Sequence, residues 1–205
     1  MRFQRPDSMP RFDSFWPEFT ANWRRAKGLG EAAEPADYYR MDLAIPVGDE
    51  SFFPSYAKTV DRSGEYIVQQ DGWGRTVRRR EGGFFEETVD SLLQDKANLD
   101  RLEFESATLD SRYEGFTRDV EQNREHDRAV FVKIGGVYIR SSFIRGTENL
   151  LLDMAADPGF CRTLFQRVGS HLLQVGLEEL RRADAYDTGV WIYDDMASNM
   201  GPMFS

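Results

Sequence analysis

The chain has 205 residues, 40% of them apolar and 13% aromatic, which suits one folded core and argues against a disordered chain. A formal net charge of −9, from 35 acidic against 26 basic residues, excludes a general nucleic-acid footprint. A single cysteine excludes an intramolecular disulfide and a thiolate zinc site of its own. The opening Met1-Arg-Phe-Gln-Arg-Pro-Asp7 lacks the apolar stretch of a leader, and no apolar run nears the roughly 20 residues that a membrane span needs. These features predict a cytoplasmic protein with neither nucleic acid nor membrane as partner.

Residues 1–11, with Pro6 and Pro10, read as an extended lead-in. Asp13 or Ser14 offers a cap for a helix over 16–27, which Gly28 and Gly30 end. Phe15, Phe19 and Trp23 recur at helical spacing and predict a core-facing side. A short helix near 35–39 leads to a strand over 41–47. Asp71-Gly-Trp-Gly74, between Glu65-Tyr-Ile-Val-Gln69 and Thr76-Val-Arg-Arg-Arg80, predicts a β-hairpin with glycine turn geometry. Arg78-Arg-Arg80 reads as its solvated end.

Helices are then expected over 95–102 and 108–125, and a strand over 129–134 that closes on Gly135 and Gly136. A helix over 148–156 follows. Asp157-Pro158 is an N-cap with proline at the first helical position. The helix it opens carries Phe160, Leu164, Val168, Leu172 and Val175 and runs to Ala183. Val190-Trp-Ile-Tyr193 is apolar at every position, as a parallel strand buried on both faces reads. Strand, helices, strand makes a βαβ unit and implies parallel pairing of 129–134 with 188–193. Asp194 and Asp195 then stand at a strand's C-terminal end, where α/β folds bind ligands.

The stretch 129–205 resembles the uroporphyrinogen decarboxylase superfamily, which includes that haem-pathway decarboxylase and corrinoid- or coenzyme M-linked methyltransferases. The matching pieces are Gly135-Gly136, Tyr138-Ile-Arg-Ser-Ser-Phe-Ile-Arg-Gly146, Glu148-Asn-Leu-Leu-Leu-Asp-Met154, Asp157-Pro158 with its long helix, and Tyr193-Asp-Asp-Met-Ala-Ser-Asn-Met-Gly-Pro202. Asp71-Gly-Trp-Gly-Arg-Thr76 is similar to a hairpin of the methyltransferase-like branch. The resemblance implies an α/β fold, the TIM (β/α)8 barrel. This chain would supply about the first half as one partial domain: a helical lead-in over 1–40, a hairpin insertion over 56–83 and a βαβ portion over 129–205. The sequence ends at Ser205 where a further helix is expected, so it reads as the front half of an enzyme. Such a half is expected to be inactive, to aggregate or to complete itself as a homodimer.

The resemblance also assigns residues. The decarboxylases carry Phe-Glu-Ser where this chain has Tyr193-Asp-Asp, and their serine touches a substrate carboxylate. A carboxylate there repels a polycarboxylate. This implies the methyltransferase-like branch, with Asp195 catalytic and Asp194 on the substrate; the competing reading is a pair that caps a helix or binds backbone amides. Asp42 matches the decarboxylase aspartate that stabilises positive charge on a pyrrole ring. Asp49 and Glu50 compete with it, and a plain loop aspartate is the other reading. Gly135 and Gly136 line the pocket. Arg140 and Arg145 offer bidentate groups for carboxylate or phosphate, or else for ion pairs. Phe143 stands near a substrate-facing tyrosine of the decarboxylases and lacks its hydroxyl. Their Arg-Gln-Ala-Gly-Arg-Tyr clamp is replaced by Arg11-Phe-Asp-Ser-Phe-Trp-Pro-Glu18.

The activity implied is corrinoid-linked methyl transfer to or from a small molecule. The alternatives are decarboxylation of a porphyrinogen or another carboxylated substrate, and a non-catalytic fragment. Partners would be a tetrapyrrole or corrinoid ligand and a corrinoid protein. The superfamily's methyltransferases hold zinc through His-x-Cys and a distant Cys, in the part of the family's chain beyond this sequence. No metal is therefore expected on these residues; zinc and a corrinoid would come with the second half. His126 precedes a strand, and His171 and Cys161 share a helix at a spacing that forbids a compact site. Cys161 reads as a structural thiol.

Overall fold

The computed structural model describes residues 9–83 and 85–204; Pro6 of the lead-in lies outside them. Helix α1 (Pro17–Lys27) begins after Trp16, with Pro17 at the position where a missing N–H costs nothing. Neither Asp13 nor Ser14 caps it. Gly28 ends it in the left-handed conformation, φ 65°. Trp23 is buried as its spacing predicts, whereas Phe19 is exposed and stacks on Phe15. After the single turn α2 (Pro35–Tyr38), strand β1 is only Leu43–Ala44, shorter than the 41–47 expected.

Residues 58–91 build the largest sheet. Its strands β2 (Lys58–Ser63), β3 (Tyr66–Gln70), β4 (Arg75–Arg80) and β5 (Glu86–Ser91) pair antiparallel in that order. The expected hairpin is the β3–β4 pair, and one strand adds to each side of it. Asp95 then caps a 3-10 turn over Lys96–Arg101 by accepting the Ala97 N–H at 2.9 Å. The 108–125 segment divides into a 3-10 turn, Asp110–Arg112, and helix α3 (Glu114–Glu125).

Strands β6 (Ala129–Val130) and β7 (Val132–Gly135) lead into three successive helices, α4 (Val137–Arg145), α5 (Thr147–Ala156) and α6 (Pro158–Ala183). Helix α4 is not anticipated by the sequence reading; Gly146, at φ 84°, separates it from α5. Asp157 caps α6 by accepting the Phe160 N–H at 3.1 Å. Strand β8 (Val190–Tyr193) and the small pair β9 (Ala197–Ser198) and β10 (Gly201–Pro202) close the chain. Strands β7 and β8 pair parallel, Val132 opposite Val190 and Gly135 opposite Tyr193, as the βαβ reading requires. Strand β1 pairs parallel with β6.

The barrel expectation is corrected. Among the described residues parallel pairing is confined to two short two-stranded ladders, and the dominant sheet is antiparallel. Strands and helices do not alternate: four antiparallel strands stand between β1 and β6, and three helices run on between β7 and β8. The physical reason is local. The 58–91 region has hairpin turns, which return the chain antiparallel, rather than the long crossovers that parallel strands need. The reading of β8 as buried on both faces is corrected as well. Trp191 is 47% and Ile192 64% exposed, because β8 pairs only with β7 among the described residues.

Two apolar clusters organise the rest. One joins Phe52, Phe53, Leu93, Tyr138, Ile144, Leu150, Leu164 and Val168, and closes around the buried thiol of Cys161. The other packs Tyr113, Phe116 and Val120 against Val130, Val132 and Val175. Phe52 belongs to the first, and Gly48 lies against the Tyr113 ring of the second.

Candidate functional site

Strand β7 ends in Gly135, and Gly136 precedes the first residue of α4. Both glycines are required by close approach. A Cβ on Gly135 would lie 2.2 Å from Arg140 Nε, and one on Gly136 would lie 2.1 Å from Asp194 Cγ. The glycine pair thus lets two charged side chains cross the strand end.

Arg140, on α4, is buried. It ion-pairs with Glu50, donates to the Tyr193 hydroxyl at 2.6 Å, and lies 4.1 Å over the Trp73 ring and 5.2 Å from that of Phe143. Glu50 is buried too, and its other oxygen accepts the Gly135 N–H at 2.6 Å. Its backbone is held from two sides. Arg112 donates to the carbonyls of Asp49 and Ser51, both at 2.7 Å. His171 Nε2 donates to the Glu50 carbonyl at 3.1 Å. Burial pushes His171 down to about 4, so this imidazole is neutral near pH 7.

The hairpin turn delivers Trp73. Asp71 accepts the N–H groups of Trp73 and Arg75 at 3.0 and 2.9 Å and pairs with the Arg75 guanidinium at 2.7 Å. Gly74 supplies the left-handed φ of 81° that turns the chain. Arg75 in turn lies 4.1 Å over the Phe143 ring. Three regions distant in sequence therefore meet at Arg140: the hairpin tip, the β7–α4 step and the end of β8.

Asp194 reaches across the same step. Its carboxylate accepts the N–H groups of Tyr138 and Ile139, at 2.9 and 2.8 Å, at the open N-terminus of α4. This is where the helix has no side-chain cap of its own and where negative charge is favoured. Asp195 beside it is exposed and its carboxylate has no hydrogen-bond partner among the described residues.

The other residues assigned from sequence lie elsewhere. Asp42 precedes β1, accepts the Arg11 N–H at 2.7 Å, and stands at the N-terminal end of its strand, the end opposite to Gly135 and Tyr193. Arg145 is buried against Asp153 at 2.7 Å and donates to the carbonyls of Leu93 and Gln94. His126 is exposed, 3.5 Å from Asp37. Among the described residues no three His, Cys, Asp or Glu side chains are grouped to hold a metal ion.

Beside Gly48 lies a second buried carboxyl that the sequence does not reveal. Glu179, on α6, is 0% exposed; one oxygen accepts the Gly48 N–H at 2.7 Å and the other has no partner among the described residues. Burial, with Glu50 adding repulsion, pushes it up to about 8, so it is protonated at neutral pH. Lys133, on β7, is half-buried, and its Nζ lies 4.4 Å from the Tyr193 ring centroid. Its pKa is lowered, chiefly by burial.

Comparison with models of known protein families, with curated proteins and with solved structures finds no match for this chain. No described helix is long and apolar enough to cross a membrane.

Proposed function

We propose that the chain is an enzyme of the uroporphyrinogen decarboxylase superfamily, on its methyltransferase-like branch, acting in methyl transfer to or from a corrinoid. The node at Arg140 carries the reading. It gathers Trp73 of the Asp71-Gly-Trp-Gly turn, the Gly135-Gly136 step and Tyr193 with Asp194. Those are three of the pieces by which the sequence resembles that superfamily.

The chemistry of the node favours a flat, uncharged macrocycle over a polycarboxylate. Trp73, Phe143 and Tyr193 are half-buried aromatic surfaces and would hold such a ring. The guanidinium groups at the node are already committed, Arg140 to Glu50 and Arg75 to Asp71. Asp194 and Asp195 add negative charge. A corrinoid, when bound, supplies a metal centre that takes up and releases methyl groups. The protein's own part is positional. Glu50 fixes Arg140, Arg140 fixes the Tyr193 hydroxyl, and Asp194 anchors α4. Asp195, whose carboxylate has no hydrogen-bond partner among the described residues, would accept a proton from an incoming methyl acceptor. The decarboxylase alternative depends on Asp42, which stands at the opposite strand end.

Titration with methylcobalamin, followed by visible absorption, tests the reading. A saturable spectral change is expected, and Trp73→Ala is expected to weaken binding about tenfold or more. Uroporphyrin is the polycarboxylate control. No saturable change with methylcobalamin, or tighter binding of uroporphyrin, overturns the proposal.

A further inference from the structure

On the side of β7 that carries Lys133, a cavity of about 490 Å³ opens between the 43–47 segment, α3 and the 12–14 stretch. Phe12, Leu43, Ile45 and Trp191 form its apolar walls. The rings of Phe12 and Trp191 lie 5.9 Å apart, and both are partly exposed to the opening. Lys133 lines the same space. Among the described residues its amine has no hydrogen bond and no ion pair; its one close partner is the face of Tyr193. A half-buried amine without a counter-ion, opening into an aromatic-walled cavity, is an unusual placement for a lysine, which is otherwise mostly exposed.

The charges around it select the class of ligand. Asp13 and Asp119 stand on the cavity wall, Glu50 and Arg140 act on the amine with opposite signs, and Glu179, protonated at neutral pH, adds no charge there. A carboxylate or phosphate ligand would meet the two wall aspartates, so an anion is disfavoured. A neutral electrophile meets no such penalty. We propose that Lys133 is a nucleophilic amine that forms a Schiff base with a small aldehyde or ketone whose apolar or aromatic body lies against Phe12 and Trp191. This site goes beyond the methyl-transfer reading and does not rest on it.

The step balances without a further reactant. The amine nitrogen attacks the carbonyl carbon and the C–N bond forms. The carbonyl oxygen takes up the two protons the ammonium gives away and departs as water, and the iminium keeps the single positive charge. A lowered amine pKa supports this, since only the neutral amine attacks.

The sequence supplies its own controls, because the chain has just three other lysines, Lys27, Lys58 and Lys96. Lys96 is held by Asp153 and Asp157, and its pKa is raised, chiefly by the hydrogen bond to Asp157. The full chain is incubated with benzaldehyde and cyanoborohydride at pH 7, and each lysine is read by peptide mass mapping. Reductive modification of Lys133 is expected to be about tenfold or more faster than that of Lys27 and Lys58, because the aldehyde is held beside its amine in the cavity. Modification of Lys133 no faster than theirs overturns the proposal. Trp191→Ala, on an exposed side chain, separates cavity from acidity. It is expected to slow the reaction at Lys133 severalfold and to leave Lys27 and Lys58 unchanged. An unchanged rate at Lys133 in a variant of wild-type circular dichroism overturns the cavity as the binding site.

Discussion

In the β2–β5 sheet, Arg78 stands directly opposite Glu87 and pairs with it in water; in the helical layer, Arg140 meets Glu50 with both side chains buried. The chemistry of the two pairs is the same and their surroundings are opposite. The sheet is laced by further exposed pairs, Arg62 with Glu81 and Arg80 with Glu65, over strands whose side chains mostly face solvent. The layer of α4, α5, α6 and β7 instead encloses Ile144, Leu150, Leu164 and Val168 completely, and two of its ion pairs, Arg140 with Glu50 and Arg145 with Asp153, are buried. An exposed pair gains little because water screens it. A buried pair has given up its hydration and depends on its partner. Charge pairs therefore decorate the sheet, whereas in the helical layer they determine where elements can sit.

Removing one half of each pair should widen this contrast. Glu50→Ala leaves the Arg140 guanidinium buried and unpaired, and is expected to cost about 3–5 kcal/mol in urea unfolding. A loss below about 1 kcal/mol would mean that water reaches Arg140 and that the two layers do not differ as described.

A change of pH should act on the helical layer alone. Glu179 titrates at about 8 in the folded chain against an ordinary 4.5. Between those values the folded state holds a proton that the unfolded chain has released, so stability falls as pH rises through the window. His171 works the other way. With a folded value of about 4 against an ordinary 6.5, it costs stability as pH drops from 6.5 toward 4. The two slopes oppose each other below pH 6.5, and Glu179 acts alone between 6.5 and 8. A fall in Tm across that interval is expected, and Glu179→Gln, which has no proton to lose, is expected to flatten it. An equal fall in the variant would remove Glu179 as its source.

The smallest effect belongs to the sheet. Arg78→Ala is expected to cost about 0.5 kcal/mol or less, and to cost still less in 1 M salt. A loss of about 2 kcal/mol or more would show the sheet pair behaving like the buried one.

The elements that sequence reading placed well are those with local signals. Asp71-Gly-Trp-Gly specifies its own turn through Asp71 and Gly74, and Asp157-Pro158 starts α6 through its own side chain. Parallel pairing of β7 with β8 followed from the helices between them. The barrel did not follow, because strand number and partners depend on contacts that no short window contains. Trp191 and Ile192 misled for a related reason: an apolar run reports what a strand could bury, and coverage depends on its neighbours. At the site, Gly135, Gly136, Arg140 and Asp194 were legible as a group through the motif, and Glu50 only as a rival of Asp42. Lys133 and Glu179 were not legible. A lysine in a strand and a glutamate in Leu177-Glu-Glu-Leu180 look solvated, and Glu179 is buried by Gly48, 131 positions away.

The lone thiol is a built-in reporter. Cys161 is 4% exposed, one turn into α6, where it lines an open apolar groove with Val137, Met154 and Phe165. The colour released per minute by an aromatic disulfide reagent in excess reports how often that thiol becomes accessible in an unmodified chain. The same trace, recorded with and without methylcobalamin, would reveal whether occupying the Arg140 node holds the layer shut.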